Sequence, residues 1–254
     1  MKKLILISVL IFTSTFNLFA GGIIQFQLEK NKEIILLSSG AGTILTGAVL
    51  KTFSSEPEAI PSVWLTFPSN PYSGNLSSAS NYLLAAGITS LPFLLNSWDW
   101  NEAATLGFMY VEALSITWGA KESLKAVFTK NRPYTFYSST PSNLMVLEDR
   151  YFSFPSGHTS IAFTTAGFAT SIFAVSDTSP LMKYIFGGIN YALASGVAAL
   201  RVTSGEHYLV DVLAGALLGT ASGILIPYLH YIGKNNKITS LLISPDTVAL
   251  NYSY

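Results

Sequence analysis

Chemistry in this chain concentrates in three short stretches, each where an apolar run begins or ends. The first carries Lys125 and Arg132, seven positions apart, with Pro133 directly after. On a continuing helix that spacing puts both cations on one side, two turns apart. Proline at 133 turns Arg132 away from helix and sets the exit of the chain. Such a pair suits an anion, although a plain positive helix end at a membrane interface explains the same residues. The second stretch, Phe154-Pro155-Ser156-Gly157-His158, opens an apolar run at Thr159. Proline suits a first helical turn, and the backbone N–H groups of Ser156, Gly157 and His158 can converge on an anion there. Gly157 allows a ligand close to the backbone. His158 could hand a proton to a leaving group, or be an incidental residue of a helix cap. The third stretch holds Arg201, His207 and Asp211. His207 and Asp211 are four apart, so a helix sets them on one face, where the carboxylate can hold one imidazole nitrogen and free the other to attack. Arg201 offers a fork for phosphate oxygens; a surface salt bridge is the plainer reading of this stretch.

The elements that must position these groups are hydrophobic helices. Six windows are nearly free of charge: residues 34–50, 80–98, 103–120, 159–176, 184–200 and 212–233, interrupted only by Glu112. Each is near the length that crosses a bilayer, and Gly, Ala, Ser and Thr within them permit close helix contacts. A buried helix of a large α-domain has a similar composition. Only 11% of the 254 residues are charged, against about 25% in a water-soluble domain, and mean hydropathy is +0.43. Those figures exclude intrinsic disorder, and 14 basic against 14 acidic residues exclude wholesale attraction to nucleic acid. With no cysteine, disulfides, thiolate zinc sites and cysteine nucleophiles are excluded. The expected architecture is an all-α bundle of about six hydrophobic helices with a small C-terminal β-hairpin.

If the helices alternate up and down, the end of the third window, the start of the fourth and the junction of the fifth and sixth share one end of the bundle. Three cations, backbone donors, two of the chain's three histidines and a carboxylate then converge. Such a constellation can bind a phosphate and move it by covalent catalysis without a metal. Lys125-x6-Arg132-Pro133, Pro155-Ser156-Gly157-His158 and Arg201-x5-His207-x3-Asp211 resemble the three signature motifs of the type 2 phosphatidic acid phosphatase (PAP2) superfamily. That superfamily also contains bacterial non-specific acid phosphatases and vanadium haloperoxidases. The resemblance spans residues 121–219. It departs at Leu200, where the family usually has serine, which removes a phosphate hydrogen bond at that position.

The resemblance implies that His207 is the nucleophile and forms a phosphohistidine, that Asp211 orients it, and that His158 is the general acid. Lys125, Arg132 and Arg201 would neutralise the phosphate, with donors from Ser156 and Gly157. No metal or other cofactor is implied. The expected activity is hydrolysis of a lipid phosphate monoester or diphosphate at a membrane. Phosphatidic acid, phosphatidylglycerol phosphate, undecaprenyl diphosphate and lipid A phosphate are the candidates. A non-specific periplasmic acid phosphatase, a vanadium haloperoxidase and a non-enzymatic phospholipid-binding bundle are the alternatives on the same fold. The partners expected are the phospholipid or polyprenyl phosphate substrate and the membrane, with no nucleic acid.

Residues outside the motifs receive plainer readings. His230, beyond Pro227, is an interfacial or core residue, and Glu112 lies three turns or more from Lys125, outside the site. Trp98 and Trp100 around Asp99 fit an aromatic anchor at a membrane surface, and Lys130 reads as solvated. Residues 1–20, with Lys2 and Lys3 before an apolar run, fit a secretory signal or an uncleaved anchor. The helical phosphatase domain is expected over 21–233 and a hairpin tail over 234–254. The expected location is a bacterial cell envelope, at or in the inner membrane, with the site facing the periplasm. A cleaved signal followed by six spans would instead put that site in the cytoplasm. Either one window does not span, or the signal stays as a helix, or the bundle is largely extracytoplasmic.

Overall fold

The computed structural model describes residues 26–54, 69–94, 100–176 and 178–231, with the backbone of 241–244 and 247–250. Six long helices among the described residues coincide with the six apolar windows. They are α1 (Lys30–Thr52), α2 (Gly74–Leu94), α3 (Trp100–Val127), α4 (Gly157–Val175), α5 (Pro180–Thr203) and α6 (Leu209–His230). Past them, β1 (Leu241–Ser244) pairs antiparallel with β2 (Thr247–Leu250), Ser244 opposite Thr247. The signal-like segment 1–20, Trp98 and Asp99 lie outside the described residues.

Helices outrun the hydrophobic windows where polar residues are satisfied internally. α3 continues seven residues beyond position 120, into a stretch that its charges mark as a loop. Lys121 and Lys51 both pair with Glu122 there, tying the end of α3 to the end of α1. α2 begins at Gly74, inside the expected 51–79 loop, because the prolines at 57, 61, 68 and 71 all precede it. α6 ends at His230, where Phe26 and Tyr231 form an isolated β-bridge.

The closest packing is between α4 and α6. Gly215, Gly219 and Gly223 form a stripe on α6, four residues apart, laid against Ser160 and Thr164 of α4. A Cβ at Gly215 would sit 2.7 Å from the Ser156 carbonyl oxygen, and at Gly219 or Gly223 it would strike α4 backbone. Small residues at this spacing let two backbones meet without side chains between them. The start of α4 is thereby pressed against the start of α6. One apolar cluster, around Met109, Phe168 and Ile226, joins α3, α4 and α6; another, around Ala166, Ala194 and Val197, joins α4 to α5. Among the described residues three helices, α1, α5 and α6, are long and apolar enough to cross a membrane. Trp100, at the start of α3, is 86% exposed.

Candidate active site

The three motifs meet at one end of the bundle. After α3 the chain loops out and returns beside itself: Lys130 N–H donates to the Tyr151 carbonyl at 2.7 Å, and Ser153 N–H to the Lys130 carbonyl at 2.9 Å. This ladder brings Lys130, Arg132 and Ser153 together over the start of α6. Between α5 and α6, Gly205 takes φ +74°, and a Cβ there would come within 2.5 Å of the carbonyl oxygens of Asn70 and Pro71. Glycine alone turns the chain in that space, and the turn delivers Glu206 and His207 into the cluster.

His207 is 1% exposed. Its Nδ1 lies 2.7 Å from the Ser153 carbonyl oxygen, which can only accept, so Nδ1 carries the proton. Nε2 therefore presents its lone pair, 3.4 Å from a terminal guanidinium nitrogen of Arg132. Asp211 does not hold the imidazole directly: its Oδ2 is 3.8 Å from Nδ1, beyond a hydrogen bond. That corrects the expectation from the four-residue spacing, which fails because α6 begins only at Leu209 and His207 precedes it. Asp211 instead accepts from Ser153 Oγ at 2.6 Å and from Tyr208 N–H at 3.0 Å, so it fixes the residue whose carbonyl orients the histidine. Its other oxygen pairs with Lys130 Nζ at 2.6 Å. Lys130 is thus buried, contrary to the solvated reading, and also lies over the Tyr208 ring.

Lys125, Arg132 and Arg201 are all buried here. Arg132 and Lys125 reach one carboxylate, Asp149, although Arg132 is extended and lies past the helix end rather than on a continuing helix. Lys125 Nζ also donates to the Phe152 carbonyl at 2.5 Å. Glu206 bridges the arginines, 2.6 Å from Arg132 and 3.2 Å from Arg201. Arg201 takes Ser77 and Ser80 of α2 as further partners, at 3.2 and 3.3 Å, while its Nε has no protein partner. A buried guanidinium N–H without a partner, beside two other cations, is a donor that an anion's oxygen would satisfy.

The second motif differs in detail from its sequence reading. Pro155 lies before the helix, after a cis Phe154–Pro155 bond, and Ser156 is the residue flanking the first turn. The Ser156 N–H is not available to a ligand, because it donates to the Asp211 carbonyl at 3.0 Å. Ser156 Oγ accepts from Thr159 at 3.0 Å. Gly157 lies against the Lys121 side chain, and a Cβ there would be 3.3 Å from Lys121 Cδ. His158, just ahead of the apolar window, is half-buried.

Electrostatics keeps both histidines neutral. Burial, then the charge of Arg132, pushes His207 down to about 3. Burial, then the charges of Arg201 and Arg132, pushes His158 down to about 4. Burial works to raise the Glu206 carboxyl, but Arg132 and Arg201 outweigh it and hold the group below its ordinary value.

The model of the PAP2 superfamily matches residues 104–234, just over half of the chain. The chain belongs to the PAP2 superfamily. Among curated relatives, this PAP2 chain is 28% identical over 173 residues to a PA-phosphatase related-family protein of Dictyostelium discoideum, covering 63% of the chain and 62% of the relative. It is 34% identical over 121 residues to an undecaprenyl-diphosphatase of Sulfolobus acidocaldarius, covering 48% and 53%. It is 30% identical over 119 residues to a probable lipid phosphate phosphatase beta of Arabidopsis thaliana, covering 40% and 54%. The chain thus spans less than two thirds of the length of each. Similar solved structures are LpxE of Aquifex aeolicus (22% identity, TM-score 0.45, 68% and 98% covered) and a transmembrane PAP2 type phosphatidylglycerolphosphate phosphatase of Bacillus subtilis (18% identity, TM-score 0.42, 87% and 92% covered).

All eight residues expected of a PAP2 site lie at the same end of the bundle. The sequence reading missed Ser153, Glu206, Asp149, Ser77 and Ser80 and misread Lys130. Glu206 stands inside the third motif and could have been weighed as a partner for its cations. Ser77 and Ser80, more than a hundred residues away in sequence, carry no such signal.

Proposed function

We propose that this chain hydrolyses a lipid phosphate monoester or diphosphate through a phosphohistidine on His207. The observation that carries this is the Nε2 lone pair of His207, set free by the Nδ1–Ser153 contact and aimed at the buried guanidinium of Arg132. An oriented nucleophile has no use in mere anion binding. In the reaction, Nε2 bonds to phosphorus while the bond from phosphorus to the leaving oxygen breaks. The arriving phosphate offsets the charges of Arg201 and Arg132, which add to burial in holding His158 neutral, and so brings a proton onto that imidazole. His158 gives it to the leaving oxygen, then takes one from the water that attacks the phosphohistidine and frees His207. Arg132, Arg201 and Lys125 stabilise the phosphoryl oxygens as charge develops. Imidazolium forms on His207 as the bond to phosphorus closes, and the Ser153 carbonyl and the Asp211 carboxylate beyond it stabilise that charge. Glu206 and Asp149 pair with the same guanidiniums, so the arriving phosphate competes with internal carboxylates. The exposed apolar side chains along α5 and α6, such as Tyr184 and Leu217, support a membrane setting in which the substrate's chains stay in lipid. A site opening to the periplasm is part of this proposal.

Phosphate release from detergent-dispersed lipid phosphates and one soluble ester, by wild type beside His207→Ala, tests it. Release by wild type should survive a chelator and fall by a factor on the order of 10⁴ or more in the variant. Equal activity in both proteins removes His207 as nucleophile.

A further inference from the structure

At the end of the bundle away from the PAP2 motifs, three acidic and imidazole groups from three helices converge inside the protein. Glu33 lies in the first turn of α1, Glu112 midway along α3 and His230 at the end of α6. All three are buried: Glu33 is 8% exposed, Glu112 not at all, and His230 1%. From Asp211 to His230 the α6 axis runs about 28 Å at 1.5 Å per residue, so this cluster takes no part in phosphate chemistry.

The hydrogen bonds leave the cluster short of positive charge. His230 Nδ1 lies 2.8 Å from the Ile226 carbonyl oxygen, an acceptor only, so Nδ1 carries its proton. Nε2 then faces Glu33 Oε2 at 3.0 Å and Glu112 Oε2 at 3.3 Å. Neither oxygen of Glu112 has a hydrogen-bond partner, although both are buried. Glu33 uses its other oxygen to accept the Glu29 N–H at 2.8 Å. The nearest lysine, Lys32, donates to the Leu229 carbonyl at 3.1 Å and lies 3.7 Å from Glu29. Two carboxylates buried this deeply cannot both stay ionised without a cation between them: either a proton sits on one of them or a metal ion joins the cluster. A divalent cation makes it neutral.

The spacing also fits an ion. Ligand atoms from all three residues lie within 4.8 Å of one another. Around a tetrahedral Zn²⁺ with bonds of about 2.0–2.1 Å, neighbouring ligand atoms are about 3.3 Å apart, close to the two distances seen here. A histidine whose second nitrogen donates to a backbone carbonyl is the usual arrangement at a metal, since it fixes both tautomer and ring.

We propose that Glu33, Glu112 and His230 bind a first-row divalent cation of the Zn²⁺ class, which ties α1, α3 and α6 together at the end opposite the catalytic motifs. Two carboxylates and one imidazole suit such an ion, with a fourth position left for water or for a second carboxylate oxygen. Glu33, at the rim, is the side of entry.

The test is metal content and thermal stability of the full chain, purified without a polyhistidine tag, equilibrated with Zn²⁺ and desalted. Wild type should retain one ion per chain. Chelator should remove it and lower Tm by several degrees, and Zn²⁺ should restore both. Glu112→Gln, of nearly the same shape, should retain no ion and show a Tm indifferent to chelator. Glu33→Gln keeps an oxygen for the Glu29 N–H, so it is the second variant should Glu112→Gln fail to fold, and its Zn²⁺ affinity should fall by at least about tenfold. Two results overturn the proposal: wild type that holds no metal and whose Tm ignores Zn²⁺, which leaves a proton as the shared cation, or binding that persists unchanged in both variants. Metal content and Tm do not depend on phosphatase activity, so failure here and failure of the phosphohistidine reading are separate results.

Discussion

Lys130 and Asp211 are the residues on which the His207 geometry depends without either touching its reactive nitrogen. Asp211 is fully buried, and Lys130 Nζ at 2.6 Å is its only charged hydrogen-bond partner among the described residues. Removing one partner of a buried pair leaves an uncompensated charge, a loss of roughly 3–5 kcal/mol. Lys130→Met should therefore destabilise the protein by that order in thermal or denaturant unfolding, and Lys130→Met with Asp211→Asn should recover part of it. Wild-type stability in the single variant would show that the pair carries no weight. The buried histidines add a pH dependence. Both have folded pKa values, about 3 and about 4, depressed below the ordinary 6.5, so the unfolded chain binds more protons in between. Their stabilisation is complete above about pH 6.5 and is lost as pH falls through that window. Below about pH 4.5, Glu206 and Asp149, whose carboxyls are also held low, add to the loss. Tm measured from pH 7 down to 5 should decline, and His207→Asn should flatten the decline. That the motif residues gather at one end was legible from their types and spacings, while the contacts of Asp211 and Ser156 were not. Lys130 was not, because its burial depends on the return of residues 150–153, a long-range pairing that leaves no periodic trace.

Elements position these groups through the contact of α4 with α6. Ser156 N–H bonds the Asp211 carbonyl only because Gly215, Gly219 and Gly223 admit the α4 backbone. A Cβ at Gly219 would meet the Ser160 carbonyl and Thr164 N–H, atoms of a helix backbone that cannot step aside singly. Gly219→Val should thus push the helices apart, lower Tm as overpacking by about 1–3 kcal/mol does, and reduce kcat although position 219 is two turns from Asp211. Full activity with unchanged Tm would show that the stripe is not what sets the site. The helices themselves were readable from hydropathy, each window landing on one helix. Their ends were not, because hydropathy drops where Lys121 and Lys51 share Glu122 while the backbone hydrogen bonds continue. Glu112 and His230 were read singly, as residues outside the site. Only the packing of α3 against α6, which sets them 3.3 Å apart, and of α1 beside them, which brings Glu33, shows that they belong together.

For the whole molecule, the alternation of helices ties together two expectations that the sequence leaves separate. α1 starts at the Glu33 end and finishes at the catalytic end, where Lys51 meets Glu122. If α1 crosses the membrane, a catalytic end facing outward places Lys30 inside. A signal cleaved on the outer face would place Lys30 outside, so a removed leader and an outward site exclude each other only where α1 crosses. The chain contains no cysteine, which makes the question open to single-cysteine labelling. Val146, 77% exposed in the loop over the catalytic end, and Leu181, 68% exposed at the start of α5, lie at opposite ends of the bundle. With a periplasmic site, Val146→Cys should react with a membrane-impermeant maleimide in intact cells, and Leu181→Cys only after permeabilisation. The reverse pattern would move the site to the inner face and agree with a cleaved leader. Labelling of both from one side would mean that α5 does not cross, and the exposed apolar flank of α5 and α6 would then need a protein partner in place of lipid.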